Sequence, residues 1–155
     1  MKSFLILSIF LLLFTGCSSK NAFDQFDMDE KQELTVSNLQ STKLVSKDGD
    51  VTGIVSVVYL NEVYPYYFSG KEYFFVYMYL KDSKNTELSM TMNGEAPLKL
   101  KKLSKINNFT HLVDVKSDWN KYYLATFANS GDDINLVFES DQSSSVVLKY
   151  QKDLE

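Results

Sequence analysis

The chain holds one thiol, Cys17, and one imidazole, His111. A thiol becomes a nucleophile only beside a base or a positive charge. Imidazole is the side chain that ordinarily exchanges its proton between about pH 5 and 8. A serine nucleophile on a sharp turn is not signalled, because no Gly-x-Ser-x-Gly occurs. Zinc sites draw on several Cys and His ligands, more than one of each supplies. Calcium needs only oxygens, and Asp48-Gly49-Asp50-Val51-Thr52-Gly53 begins like a calcium loop, but Tyr59 stands where the loop's final Glu belongs. Asp132-Asp133 after Gly131 reads as a solvated turn. Carboxylate pairs for glycoside hydrolysis are defined by separation in space, and the sequence nominates none. The expectation is a non-enzymatic chain with no catalytic residue, no metal and no cofactor.

The elements that carry these residues read as β-structure from about Glu33. Val51, Ile54, Val55, Val57, Val58, Tyr59 and Leu60 form a β-branched run interrupted by Gly53, which marks a bulge. Tyr73, Phe75, Tyr77 and Tyr79 alternate with Phe74, Val76, Met78 and Leu80, so that strand is apolar on both faces and should lie centrally. Leu88, Met90 and Met92 precede the hairpin dipeptide Asn93-Gly94, and Leu98 and Leu100 follow it. Further period-two sets are Phe109, His111, Val113 and Val115; Tyr123, Ala125 and Phe127; Ile134, Leu136 and Phe138; and Val146, Leu148 and Tyr150. His111 thereby falls on a strand, as a core or half-buried residue.

These short strands, separated by turns, predict an all-β domain over 33–155: a two-sheet sandwich of about seven or eight strands, with an eight-stranded closed barrel as the alternative. The strand order, with Trp119 ahead of Tyr122-Tyr123, resembles the immunoglobulin-like domains of small bacterial lipoproteins. The Cys…Trp…Cys signature of antibody domains is absent, so the resemblance implies a disulfide-free relative.

At the start of the chain, positions 4–14 are apolar except for Ser8 and follow Lys2. That run is too short for a bilayer span, which takes about 20 residues, and has the layout of an export signal. Thr15-Gly16-Cys17 resembles the lipobox of bacterial lipoproteins, with Phe14 where Leu is usual. The resemblance implies a signal peptide over 1–16 and a diacylglycerol on Cys17, which becomes the new N-terminus. An ordinary secretory signal and an uncleaved anchor are the alternatives. Two acyl chains suffice for stable anchoring. In resemblance to Gram-negative sorting, Ser18 after the cysteine implies the outer membrane, on its periplasmic side or its surface. Residues 17–32 are polar and acidic, with Asp24, Asp27, Asp29 and Glu30 close together, and read as the lipidated N-terminus and a flexible acidic tether, with a short amphipathic helix as the alternative.

The formal net charge of −4 and the absence of arginine argue against nucleic-acid binding. Lys99, Lys101, Lys102 and Lys105 form one local basic cluster that reads as a solvated strand face and loop, with a contact for anionic lipid head groups or polysaccharide as the alternative. The remaining distinctive feature is aromatic density. Tyr64, Tyr66, Tyr67, Tyr73, Tyr77 and Tyr79 are candidates for a binding surface, since tyrosine joins apolar area to a hydroxyl. They serve equally as filling for a thick core. The functional expectation is a lipid-anchored envelope protein binding a protein partner as scaffold or adhesin component. The alternative is a small-ligand or lipid carrier with an aromatic-lined cavity.

Overall fold

β-Branched and aromatic residues at alternate positions form strands because their side chains fit a pleated, half-buried surface. The computed structural model describes residues 29–81 and 88–152; Cys17 and positions 1–16, expected above to be a signal peptide, lie outside the described residues. The strands are β1 (Leu39–Ser46), β2 (Val51–Tyr59), β3 (Glu72–Leu80), β4 (Ser89–Met92), β5 (Lys99–Leu103), β6 (Asn120–Phe127), β7 (Asp133–Glu139), β8 (Ser143–Ser145) and β9 (Leu148–Gln151). All pair antiparallel in one sheet of order β4-β7-β8-β1-β2-β3-β6-β5, with β9 also on β7. The sheet curls strongly into a half-barrel.

The all-β expectation therefore holds, but its finer form does not appear. The strands are not divided into the two separate sheets of an immunoglobulin-like sandwich, and Trp119 is exposed in the turn before β6. The closed barrel is excluded because β4 and β5 end the strand order without pairing with each other. β5, Lys-Leu-Lys-Lys-Leu, is solvent-accessible along its length, and lysines on an edge strand oppose further pairing.

Each face of the sheet has its own core. Leu44, Val57, Phe74, Met90, Phe127, Phe138 and Tyr150 belong to one cluster. Because it draws on strands from β4 and β7 through to β6, it fills the inside of the curl. On the outside, Val58, Phe75 and Tyr122 pack with Leu60, Val63 and Leu112. Those last three come from α2 (Leu60–Val63) and α3 (Thr110–Val113), which with α1 (Glu30–Asn38) partly cover the convex face. β3 lies between β2 and β6, as its two apolar faces require. Among the described residues no helix is long and apolar enough to cross a membrane.

Four local differences from the sequence reading have physical causes. α1 straddles the expected boundary at 32/33, since Asp29 and Gln32 form a reciprocal capping box, with bonds of 2.8 and 3.0 Å. Asn93 and Gly94 form a turn with φ of 51° and 86°, but the hairpin stops at one bridge, Met92 to Glu95. Asn93 is instead bonded to β7 through Asn135 and Asp133. The set containing Phe109 and His111 is not a strand: Asn107 accepts from the Phe109 amide at 2.9 Å and from the Thr110 hydroxyl at 3.0 Å, starting a helical turn. Val146 is exposed between β8 and β9, whereas Leu148 and Tyr150 are inside. Gly53 does adjoin a bulge, with Leu44 opposite Gly53 and Val45 opposite Val51. A Cβ at Gly53 would stand 2.7 Å from the Tyr79 carbonyl oxygen, so the close approach of β2 and β3 needs glycine there.

Candidate functional site

The aromatic segment begins where β2 ends. Leu60 and Val63 are buried beneath the single turn of α2, which fixes the chain that follows. The Tyr64 carbonyl accepts from the Tyr67 and Phe68 amides, both at 3.0 Å. This turn throws Tyr66 and Tyr67 outward, leaving them 89% and 77% exposed. Their rings meet edge to face at 5.3 Å, and Tyr67 meets Tyr64 at 6.5 Å. From there the contact runs inward through Phe68 to Tyr73 and Phe109, then to Phe75 and Tyr77. The exposed rings are thus the outer end of a continuous aromatic cluster rooted in the convex core.

Tyr64 is the hinge between loop and helices. Its hydroxyl lies 3.3 Å from His111 Nε2, and Lys31 Nζ sits 5.7 Å from its ring centroid. Burial, and secondarily the Asp29 charge, push the Tyr64 phenol up. Tyr77 is also pushed up by burial, partly opposed by a hydrogen bond from Ser56. His111 is exposed on α3, not half-buried on a strand, and its carbonyl accepts from Gln32 Nε2 at 3.1 Å.

The structure brings Tyr64, Tyr66, Tyr67 and Tyr73 together through ring contacts and adds Tyr77 by way of Phe75. Tyr73 and Tyr77 are half-buried convex-core residues. Tyr79 stands apart at the other end of β3, exposed beside its cross-strand partner Ile54. Among the described residues no group of three or more His, Cys, Asp or Glu side chains could hold a metal ion.

One cluster escapes the sequence reading. Glu72, 1% exposed, accepts from the Tyr59 hydroxyl at 2.6 Å and the Ser130 amide at 3.0 Å, and pairs with Lys152 Nζ at 2.6 Å. Lys152 also donates to the Ser130 carbonyl at 2.8 Å and to Asn129 Oδ1 at 3.1 Å. The signal was a lone acid at the start of Glu-Tyr-Phe-Phe-Val-Tyr-Met-Tyr-Leu, in phase with the inward Phe74, Val76 and Met78. Burial, reinforced by the Glu72 hydrogen bond and charge, pushes the Tyr59 phenol far up. With its oxygens fully engaged, Glu72 acts as a latch between β3 and Lys152, the residue that follows β9.

No protein-family model, curated protein or solved structure matches this chain.

Proposed function

We propose that this protein is a lipid-anchored component of the bacterial cell envelope, attached through Cys17, that binds a protein partner without catalysis. The observation that carries the binding reading is the outward display of Tyr66 and Tyr67 on a braced turn. Large rings held in place lose little side-chain freedom on contact, which favours tyrosine at the centre of interfaces. The carrier alternative needs space inside the curl, but the rings of Tyr59, Phe74 and Tyr150 pack against one another there at 5.1 to 5.9 Å. Envelope location and the anchor rest on the lipobox resemblance of Thr15-Gly16-Cys17.

The test is crosslinked capture of the full chain from its own membranes, with wild type beside a Tyr66→Ala/Tyr67→Ala variant and Cys17→Ala scored for acyl labelling. The reading expects a partner recovered by wild type to be lost from the double variant. It also expects Cys17→Ala to lose the label and leave the membrane fraction. Equal recovery by the double variant overturns the binding surface, and unchanged membrane retention of Cys17→Ala overturns the anchor.

A further inference from the structure

The helices leave part of the convex face open. Tyr77, Tyr122 and Leu103 form a cross-strand row packed with the α2 and α3 core. Two rows further along, Tyr73, Thr126 and Lys99 are aligned across β3, β6 and β5, with Leu124 and Lys101 paired in the row between. Lys71 and Leu98 complete an open trough of about 490 Å³, within the roughly 300 to 1,000 Å³ of small-molecule sites. Its floor is apolar and its rim is cationic. Leu98 lines it while 62% exposed. Among the described residues Lys71, Lys99 and Lys101 make no ion pair, whereas nearby in sequence Lys105 is held by Asp118 at 2.6 Å.

We propose that this trough binds a monomeric anionic amphiphile, with a carboxylate, sulfate or phosphate head among Lys71, Lys99 and Lys101 and an apolar chain over Tyr73, Leu98 and Leu124. Lysine stems can lie along an apolar floor while the ammonium groups stay at the rim, so one ligand satisfies both features. Covering Leu98 removes apolar surface from water. A head group within a bilayer offers the same charge, but its chains remain in the membrane and leave the floor uncovered. The trough shares Tyr73 with the aromatic cluster but is not lined by Tyr66 or Tyr67, and it does not depend on the partner reading.

Calorimetric titration of the full chain with dodecanoate below its critical micelle concentration tests this, with dodecanol and phosphatidylglycerol vesicles as comparison probes. Lys99→Glu/Lys101→Glu places like charge beside the head and should weaken dodecanoate binding about tenfold or more. Lys99→Gln/Lys101→Gln should weaken it less while keeping the stems, and Leu98→Ala should weaken dodecanoate by loss of chain contact. Lys102→Glu, which faces the other side of β5 in register with Tyr123, is the charge control and should leave binding unchanged. Unfolding curves matching wild type certify each variant. Equal weakening by Lys102→Glu, equal binding of dodecanol, absence of dodecanoate binding, or binding of vesicles alone would each overturn the proposal.

Discussion

Tyr59 and Tyr66 are the same residue type on either side of one helical turn, yet Tyr59 is 2% exposed and Tyr66 89%. The difference lies in strand phase and in what the hydroxyl meets. Tyr59 ends β2 on the inside of the curl, where Glu72 accepts a hydrogen bond from its hydroxyl; Tyr150 and Tyr122 likewise donate to the Val57 and Ser117 carbonyls, at 2.8 and 3.0 Å. Among the described residues no buried side-chain nitrogen or oxygen lacks a partner. A tyrosine goes fully inside this protein where an acceptor waits. Beyond α2 the chain turns outward, and the rings of Tyr66 and Tyr67 brace each other in place of a core.

The contrast can be broken most severely at the latch. Glu72→Ala leaves the Tyr59 hydroxyl without its acceptor and the Lys152 ammonium without its counter-charge, though Lys152 keeps its bonds to Ser130 and Asn129. Removing one partner of a buried pair costs about 3 to 5 kcal/mol, and the low end is expected because Lys152 retains 23% side-chain exposure. Urea unfolding should show a clear fall in midpoint; a variant as stable as wild type would remove the latch from the account.

Alkaline titration sharpens the same contrast. Burial raises the folded pKa of Tyr59 and Tyr150 above the unfolded value of about 10. Their contribution is complete below that value. As pH rises beyond it the unfolded chain has lost protons that the native state keeps, so stability falls, by roughly 1.4 kcal/mol per pH unit for each such group. Tyr59→Phe should flatten the slope measured by unfolding at pH 10 to 11.5, whereas Tyr66→Phe should not alter it.

The smallest effect belongs to the exposed pair. Surface substitutions away from special features usually fall within about 0.5 kcal/mol, so Tyr66→Ala and Tyr67→Ala should each leave the thermal midpoint nearly unchanged. A drop of several degrees would mean the rings brace the fold and are not chiefly a contact surface.

Most strands were legible because their inward residues repeat at two: Val55 and Val57, Phe74 and Val76, Ile134 and Leu136. What periodicity conceals is which strand pairs with which. Asn93-Gly94 gave its turn, but Asn93 bonds to β7, so β4 and β5 part company and one curled sheet replaces a sandwich. His111 falls on a helix because Phe109 and Val113 suit one face of a helix as well as a strand, and the bonds that the Asn107 side chain accepts from the Phe109 amide and its carbonyl from the Thr110 hydroxyl decide between them. Ser143-Ser144-Ser145 carries no apolar pattern and becomes β8 through its pairing with β1. At the candidate surface, the outward course of Tyr66 and Tyr67 depends on the anchoring of Leu60 and Val63. The trough depends on which rows the helices leave uncovered, a matter of tertiary arrangement.

The latch also sets an order of events. Lys152 and Glu72 are 80 positions apart, and in the strand order β7 reaches β1 through β8. Chains emerge N-terminus first, and contacts between distant segments form only after their loop has closed. Until β7, β8 and the segment carrying Lys152 have been synthesised, β3 carries an acid without its counter-charge and the sheet lacks its bridge. Closure of this core therefore waits for the segment that runs from β7 to Lys152, however early β1 to β3 are made.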